Sequence, residues 1–215
     1  MVSSLRITEI FHSLQGESNT VGLPTVFIRL TGCPLRCVYC DTAYAFTGGT
    51  KTEIDAIIDQ VEQYETRYVT VTGGEPLAQS SCLQLMTKLL DKGYVVSLET
   101  SGALDVSAVD SRVSKVMDLK TPSSGELSKN RYQNIDYLTP KDQVKFVIGN
   151  DEDYEWSKAI LAEYDLPGRR CEILFSPTMG QQNPTELAEK ILRDRLPVRF
   201  QVQLHKILWD DARGK

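Results

Sequence analysis

The sequence predicts an α/β fold made of parallel β-α units. Short apolar runs rich in Val, Ile, Phe and Tyr recur along the chain and predict strands. Amphipathic stretches of helical period separate these runs. The unusual motifs all follow predicted strands. Strands that alternate with helices form parallel sheets, because each crossover returns the chain to the edge from which the next strand starts.

The predicted elements alternate along most of the chain. The predicted strands cover residues 25–30, 67–72, 94–99, 115–119, 142–148, 171–175 and 198–204. The predicted helices cover residues 52–64, 81–91, 151–164 and 184–195. In the last helix Asn183 is a favourable N-cap, Pro184 suits the first helical position and Glu186 can complete a capping box. Residues 121–140 are polar and rich in Ser and Asn, which predicts a loop with short irregular structure.

The motifs that could carry chemistry stand at the ends of predicted strands. They occupy residues 31–42, 72–76, 99–102, 118–121 and 176–178. The carboxyl ends of parallel strands lie at one edge of an open sheet or barrel, which is where such folds place their ligands. We therefore expect these five segments to surround one site.

The length and composition of the chain favour a globular protein of one domain and disfavour several kinds of partner. The chain has 215 residues, 41% of them hydrophobic and 25% charged, and a net charge of −5. This length suits one domain, and no domain boundary is visible. No basic tract is present, which disfavours binding to nucleic acid or to an anionic membrane surface. No apolar run reaches the ~20 residues of a membrane span, and no signal-peptide core is seen at the start, so a cytoplasmic protein is expected.

Three cysteines fall within eight residues of the first motif. Cys33, Cys37 and Cys40 form a C-x3-C-x2-C pattern. Closely spaced thiolates suit an iron–sulfur cluster or zinc. Three thiolates can bind three corners of a cubane, whereas a structural zinc ion normally takes four ligands. The spacing alone leaves both readings open, together with unliganded thiols.

A fourth protein ligand would have to come from elsewhere in the chain. The candidates are Cys82, Cys171, His12 and His205, and none of them belongs to a second C-x2-C pair. Cys82 lies in a predicted amphipathic helix and Cys171 at a predicted strand start. Buried free cysteine is common, so both are expected in the core.

The cysteine motif resembles that of a known superfamily. An aromatic residue, Tyr39, precedes the third cysteine, and residues 73–76 read Gly-Gly-Glu-Pro at the next strand end. Together they resemble the radical S-adenosylmethionine (SAM) superfamily. The resemblance implies a [4Fe–4S] cluster on Cys33, Cys37 and Cys40, whose open iron is chelated by SAM. Reductive cleavage of SAM would then give a 5′-deoxyadenosyl radical.

The resemblance also implies which side chains surround SAM. The glycines of residues 73–76 would leave backbone groups open to the SAM amine, residues 118–120 would serve the ribose, and residues 176–178 would lie under adenine. The residues expected at SAM are Tyr39, Cys40, Asp41, Gly73, Gly74, Glu75, Asp118, Leu119, Lys120, Ser176, Pro177 and Thr178.

Five further motifs resemble one family within that superfamily. They are LQGE at residues 14–17, FIRL at 27–30, CDT at 40–42, ETSG at 99–102 and QLHK at 203–206. Together they resemble the 7-carboxy-7-deazaguanine synthases, from about residue 7 to residue 209. The resemblance implies a lyase that converts 6-carboxy-5,6,7,8-tetrahydropterin to 7-carboxy-7-deazaguanine with loss of ammonia, on the route to queuosine. It also implies Mg²⁺, a homodimer and a flavodoxin-like reductant.

The residue types at the implied substrate site suit a pterin. Arg29 offers a planar pair of donors to a carboxylate. Gln15 and Glu17 can pair with the amino-pyrimidinone edge. Thr42 offers a hard oxygen, which suits Mg²⁺ if substrate and water complete the coordination. The substrate residues expected from the resemblance are Leu14, Gln15, Gly16, Glu17, Arg29 and Thr72.

The chain also differs from a complete barrel. Residues 42–51 leave little room for a helix, and several helices look short or missing. An incomplete TIM-like barrel of the radical SAM type is therefore expected. Two other functions stay open: a glycyl-radical-enzyme activase, and a zinc-binding structural module without activity. His205 and residues 210–215 receive no role, and packing of His205 against Trp209 is one possibility.

Overall fold

The computed structural model describes residues 3–169, 171–210 and 212–215. Nine strands are described: β1 (Ser4–Leu14), β2 (Pro24–Leu30), β3 (Thr50–Glu53), β4 (Tyr68–Gly73), β5 (Val95–Thr100), β6 (Ser114–Leu119), β7 (Gln143–Ile148), β8 (Glu172–Pro177) and β9 (Arg199–Phe200). Five α-helices accompany them: α1 (Ile54–Glu62), α2 (Ser81–Asp91), α3 (Asp151–Glu163), α4 (Pro184–Arg193) and α5 (Leu204–Trp209).

All nine strands belong to one curved, open sheet. Their order is β3-β1-β2-β4-β5-β6-β7-β8-β9. From β2 to β9 every neighbouring pair is parallel, whereas β1 is antiparallel to both β2 and β3. Within the described ranges no strand pairing joins β3 to β9, so the barrel stays incomplete, as the sequence predicted.

The seven predicted strands are the seven parallel strands of this sheet. The two strands that sequence reasoning missed, β1 and β3, form its antiparallel edge. β1 mixes apolar and polar residues without clean alternation, because much of it is only half-buried. β3 is four polar residues, which the prediction had partly included in the helix that begins at Ile54.

The end of the chain also departs from the prediction. A strand was expected over residues 198–204, but only Arg199–Phe200 pairs with β8. Residues 201–203 leave the sheet, and Leu204–Trp209 forms α5 instead. Gln201 explains the departure, because its side chain is buried in hydrogen bonds to the backbone N–H and carbonyl of Ser18.

Helices cover the convex face of the sheet and close two hydrophobic cores. Apolar residues of α1 and α2 pack in one core with the side chains of β2, β4 and β5 that point away from the concave face. The second core lies under α3 and α4 and includes Tyr154, Phe146 and Phe175. Between β5 and β6 the described chain has no helix, and residues 121–140 form three short 3-10 turns, as predicted. None of the described helices has the length and apolar character needed to cross a membrane.

The concave face of the sheet is mostly polar and lines a cavity of about 420 Å³. Side chains alternate between the two faces of a strand, so one row of each strand points into this cavity while the other packs under the helices. The inward rows of the parallel strands include Phe27, Arg29, Thr72, Glu99, Val116, Asp118, Lys145 and Val147. A polar row on the inside of a well-packed sheet indicates a binding site.

Candidate active site

The cysteine loop follows β2 at the carboxyl edge of the parallel strands. Its start is fixed by backbone bonds from Thr31 N to Arg6 O at 2.9 Å and from Gly32 N to Ala45 O at 2.8 Å. Leu35 anchors it from within, with 1% of its surface exposed. The Arg36 guanidinium donates to the Cys33 carbonyl at 2.9 Å. The loop is thus held by its neighbours while its three thiols face the cavity.

The three thiols are half-buried and close enough to influence one another. Burial, with nearby Cys40, raises the pKa of Cys33. Burial raises the pKa of Cys37 to about 11, with Asp118 and the other two cysteines adding to the shift and Lys120 opposing it. In the described part of the chain no three His, Cys, Asp or Glu side chains converge as a single metal ion would require. Cys82 and Cys171 lie in the two cores, as predicted.

The Gly-Gly-Glu-Pro turn packs backbone to backbone against the cysteine loop. A methyl group added to Gly74 would lie 2.0 Å from the Gly32 carbonyl oxygen, and one added to Gly73 would lie 2.6 Å from the Leu30 carbonyl oxygen. Glu75 N donates to Gly32 O at 2.7 Å. Close backbone contact with the cysteine loop therefore requires these glycines, which sequence reasoning had attributed to SAM alone.

The Glu75 side chain has a structural place rather than the expected place at SAM. Its carboxylate is fully buried and does not line the cavity. It accepts hydrogen bonds from Leu77 N at 3.1 Å, Thr100 Oγ1 at 2.9 Å, Ser101 N at 2.8 Å and Ser101 Oγ at 2.6 Å. Glu75 thus ties the turn after β4 to the end of β5.

Several polar atoms of the predicted SAM residues are buried without a partner. Asp118 pairs through Oδ2 with Lys120 at 3.0 Å, but its Oδ1 accepts no hydrogen bond from the residues described. The hydroxyls of Ser176 and Thr178 are in the same state within those residues. Buried polar groups are almost always paired, so these atoms indicate a ligand with matching donors and acceptors.

The other residues predicted around SAM fall into two groups. The Tyr39 ring lines the cavity, and burial, followed by the nearby Asp118 charge, raises the pKa of its hydroxyl. Leu119 and Pro177 do not line the cavity. Leu119 is fully buried in the second core, since it alternates with Asp118 and Lys120 along β6. The side chain of Leu119 therefore does not take the expected place at SAM.

The LQGE segment approaches the cavity from the edge opposite the cysteine loop. β1 is antiparallel to β2, so Leu14 lies beside Pro24 at the start of β2. The segment nevertheless lines the same cavity as the three cysteines. The loop turns into the concave face, where Gln15 Nε2 donates to Thr70 Oγ1 at 3.1 Å and to Glu99 Oε1 at 3.3 Å.

Glu17 forms the buried anion at this end of the cavity. It pairs with Lys145 Nζ at 2.6 Å and accepts from Gln203 Nε2 at 2.6 Å. Burial pushes the pKa of Glu17 upward, but the Lys145 ammonium and both hydrogen bonds leave it below its usual value. Burial and the nearby Glu17 charge raise the pKa of Glu99, which accepts from Thr72 Oγ1 at 2.9 Å.

Residues near the end of the chain pack against the loop that contains Glu17. Leu204 N donates to the Gly16 carbonyl at 2.9 Å. A methyl group on Gly16 would lie 2.1 Å from His205 Nδ1, so this glycine lets the imidazole approach the loop. His205 and Leu14 both line the cavity. The cavity therefore uses a histidine that received no role in the sequence analysis.

Arg29 stands at the centre of a row that crosses four strands. Glu9 faces it from β1 and Thr72 from β4, and Thr72 reaches Glu99 on β5. Arg29 Nε donates to Glu9 Oε1 at 2.7 Å. The acidic partner thus comes from a neighbouring strand and not from the motif that contains Arg29. Nη1 and Nη2 of Arg29 make no hydrogen bond to the described residues, and the guanidinium lies over the rings of Phe11 and Tyr44.

Asp41 and Thr42 follow the last cysteine at the cavity mouth. Lys206 Nζ pairs with Asp41 Oδ2 at 3.0 Å, and Thr42 Oγ1 donates to Asp41 Oδ1 at 2.8 Å. Burial acts to raise the pKa of Asp41, but Lys206 and the Thr42 hydrogen bond bring it below its usual value. Arg213 lies 4.1 Å from the centre of the Tyr44 ring, which brings residues 212–215 to the same mouth.

Comparison with known proteins identifies a superfamily and several close relatives in sequence. A model of the radical SAM superfamily matches residues 27–164. The 7-carboxy-7-deazaguanine synthase of Chlorobaculum tepidum is 46% identical over 214 residues, which cover 98% of this chain and 97% of that protein. The synthase of Koribacter versatilis is 39% identical, with 95% and 97% covered. This chain belongs to the 7-carboxy-7-deazaguanine synthase family.

Solved structures agree with the synthase family in fold. QueE from Escherichia coli superposes with a TM-score of 0.78 at 24% identity, over 94% of this chain and 95% of that chain. SuiB from Streptococcus suis, solved bound to S-adenosylmethionine, superposes with a TM-score of 0.56 at 12% identity. It covers 80% of this chain and 45% of SuiB. The incomplete barrel is thus shared beyond the synthases.

Membership of the radical SAM superfamily implies a [4Fe–4S] cluster and SAM as cofactors. The residues of this synthase-family chain fit both groups. Three thiols stand at the cavity without a disulfide. Asp118 and Thr178, each with an unpaired buried oxygen, line the same cavity, where a polar ligand can satisfy them. The same lining therefore accommodates a cluster on one side and a nucleoside on the other.

Sequence reasoning missed three residues of this synthase-family site, Glu9, Tyr44 and Lys145. It placed Glu99, Gln203 and Lys206 in family motifs but gave their side chains no role. Glu9 and Lys145 are brought to the site by the strand register. One signal was available. Lys145 is a lysine within the apolar run of β7, and a charged residue in such a strand indicates a polar inner face.

Proposed function

We propose that this chain is a radical SAM lyase that converts 6-carboxy-5,6,7,8-tetrahydropterin to 7-carboxy-7-deazaguanine with release of ammonia, a step towards queuosine and related deazapurines. The near full-length identity of 46% to a 7-carboxy-7-deazaguanine synthase carries the proposal. The cavity supports it, because a guanidinium, an amide and a carboxylate face one another across a space that suits a small polar ring system.

In this proposal the cysteine loop holds the cluster, and the ends of β4, β6 and β8 hold SAM. Cys33, Cys37 and Cys40 ligate three irons. Bound together, the cluster and SAM supply an organic radical that abstracts a hydrogen atom from the substrate. The protein orients the reactants and excludes water. Asp118, Ser176 and Thr178 contribute their unpaired oxygens to SAM, Lys120 pairs with Asp118 and fixes its position, and Tyr39, Cys40, Asp41, Gly73 and Gly74 form the adjoining wall.

The substrate lies in this proposal between the Arg29 row and the LQGE loop. Arg29 already uses Nε for Glu9, which fixes its orientation, and presents Nη1 and Nη2 to the pterin carboxylate. Gln15, Glu17 and Thr72 serve the polar edge of the rings, with Leu14 and Gly16 as walls. Glu17 enters as a carboxylate, since its pKa is lowered by its two partners.

Mg²⁺ remains part of the proposal and rests on the family resemblance. Thr42 offers a hydroxyl oxygen at the cavity mouth, and Asp41 beside it adds a carboxylate that sequence reasoning had assigned to SAM. Mg²⁺ prefers such hard oxygens and retains several waters. The Thr42 hydroxyl donates its hydrogen to Asp41, which leaves its oxygen lone pairs available to the metal.

The homodimer, the flavodoxin-like reductant and the cytoplasmic location also follow from the resemblance and stay predictions. A sedimentation measurement of the purified protein tests the dimer directly. An electron-transfer assay with reduced flavodoxin tests the reductant, with dithionite as the chemical comparison.

The experiment that tests the function is a turnover assay with anaerobically purified protein, SAM, Mg²⁺ and the carboxypterin. We expect 7-carboxy-7-deazaguanine and ammonia in equal amounts, and no product from Cys33→Ala. Failure of cluster-loaded wild-type protein to form the product would refute the assignment. Iron and sulfide analysis separates it from a zinc module, and an absence of pterin turnover with active SAM cleavage would favour an activase.

A further inference from the structure

The Lys145 side chain joins the two ends of the cavity. It rises from the middle of β7, and its partner in the parallel register is Asp118 on β6. Its ammonium lies 2.6 Å from Glu17 Oε2 and 3.7 Å from Asp118 Oδ2. Glu17 belongs to the substrate end and Asp118 to the SAM end, so a single cation faces both.

This cation and its two carboxylate partners are largely shielded from bulk solvent. The exposed fractions of the side chains are 13% for Lys145, 9% for Glu17 and 17% for Asp118. Charges in such a setting are weakly screened, so a small movement of the ammonium changes its interaction with each carboxylate. Burial acts to lower the pKa of Lys145, but Glu17, Asp118 and Glu99 keep it raised, and the ammonium stays charged.

Each carboxylate has a different second partner. Glu17 also accepts from Gln203 Nε2. Asp118 also pairs with Lys120 through Oδ2, while its buried Oδ1 has no hydrogen-bond partner among the described residues. An ammonium is a compact charge on a flexible stem with three donors. The Lys145 ammonium can therefore move towards either carboxylate, because Gln203 still binds Glu17 and Lys120 still binds Asp118.

We propose that Lys145 is a positioning residue that couples substrate binding to SAM binding. The inference rests on the proposed function for which ligand occupies each end. Ring N–H groups that donate to Glu17 compete with the Lys145 ammonium. The released ammonium moves towards Asp118 Oδ2 and closes the 3.7 Å gap. Asp118 is then held in place, with Oδ1 directed to a ligand hydroxyl.

Coupling of this kind is reciprocal. If the substrate strengthens SAM binding by some factor, SAM strengthens substrate binding by the same factor. A purely structural lysine behaves differently, because its loss would weaken each ligand separately and leave the factor unchanged. The coupling factor therefore separates the two roles.

The test measures SAM affinity in holoenzyme with an oxidised cluster and no reductant, so that no turnover occurs. Affinity is determined by titration with and without saturating carboxypterin. For the wild type we expect the pterin to tighten SAM binding by about five-fold or more, within the usual range of coupling between sites. In Lys145→Met and Lys145→Gln the factor should fall to about one, and Lys145→Arg should retain part of it.

Lys120→Met is the matched control, because Lys120 also pairs with Asp118 but does not reach Glu17 in the described structure. This variant should bind SAM more weakly and keep the wild-type coupling factor. An undiminished factor in both Lys145→Met and Lys145→Gln, or a factor of one in the wild type, would overturn the proposal. Wild-type holoenzyme that binds SAM but no pterin would instead show that the proposed function itself is wrong. If Lys145→Met does not fold, Lys145→Gln and Lys145→Arg decide the matter.

Discussion

At the scale of single residues, the guanidinium of Arg29 shows how the cavity prepares a charged contact. Glu9 takes one donor nitrogen, Tyr44 Oη donates to the same Glu9 oxygen at 2.8 Å, and Phe11 and Tyr44 bracket the plane. The side chain is thus oriented before any ligand arrives. Pre-orientation reduces the entropy lost on binding, which increases affinity without an added contact.

Arg29→Ala should therefore lower substrate binding or turnover by roughly 30-fold to several thousand-fold, since truncating one partner of a buried charge pair costs roughly 2–5 kcal/mol. SAM affinity should change little, because Arg29 lies outside the Asp118 side of the cavity. Steady-state kinetics beside SAM titrations measure both. Arg29→Lys should recover only a part, because an ammonium cannot hold Glu9 and a carboxylate in the same fork. Wild-type kinetics in Arg29→Ala would remove the carboxylate role.

Thr42 provides the second residue-level prediction. Thr42→Ala should lower turnover and flatten its response to Mg²⁺ while iron content stays at the wild-type level, since the hydroxyl is a metal oxygen in the proposed function and not a cluster ligand. Thr47→Ala, an exposed threonine five residues further on, is the control and should behave as wild type. A Mg²⁺ response in Thr42→Ala equal to that of the wild type would exclude Thr42 from the metal site.

Residues that act through a local motif could be predicted, and residues that act through the strand register could not. The cysteines, the glycine turn and the LQGE segment are each readable from neighbours in the chain. Glu9 is paired with Arg29 by the register of β1 with β2, which is set by a strand the sequence pattern did not reveal. Glu75 and Leu119 belong to motifs expected at SAM, but their side chains do not line the cavity. Strand alternation turns Leu119 into the core, and buried hydrogen bonds hold the Glu75 carboxylate.

At the scale of elements, the turn after β4 supports the cysteine loop from beneath. Glu75→Gln should destabilise the protein by about 2–4 kcal/mol. The carboxylate now accepts hydrogen bonds from backbone and hydroxyl groups, and the NH₂ of glutamine would place a donor against these donors. Urea unfolding under anaerobic conditions measures this, and iron content should fall as the loop loses its support. Glu155→Gln on the exposed face of α3 should change stability by less than about 1 kcal/mol. Equal stability of the two variants would contradict the supporting role.

The three strands that differ most from the sequence prediction, β1, β3 and β9, lie at or next to the ends of the sheet. β1 and β3 fail the strand pattern because an edge with one open face needs little apolar alternation. The last strand ends at Gln201, whose backbone N–H still donates to Phe175 of β8 while its side chain binds the backbone of Ser18. A periodic pattern of apolar residues marks the elements that pack against the helices. Strands whose residues face the cavity or solvent lack this pattern and are not predicted from it.

At the scale of the whole molecule, one ion pair far from the cavity tests how the sheet is stabilised. Asp142 is fully buried and accepts from Lys115 N at 2.7 Å, Thr139 N at 2.7 Å and Lys115 Nζ at 3.0 Å. Asp142→Ala would leave the Lys115 ammonium buried without its anion, so we expect a loss of about 3–5 kcal/mol. Lys88→Ala breaks an exposed pair with Asp55 and should cost less than about 1 kcal/mol. Denaturant midpoints of the two variants test the difference, and similar values would show that the buried pair is not needed.

The hydrogen bonds between the LQGE loop and the last residues of the chain have a consequence for biosynthesis. Gly16, Glu17 and Ser18 bond to Leu204, Gln203 and Gln201, which are made more than 180 residues later. A chain leaves the ribosome with its amino end first. The cysteine loop and its partners up to Glu126 are translated while the partners of the LQGE loop are still to be made. The nascent protein therefore assembles the iron-binding side of its cavity first and the substrate side last.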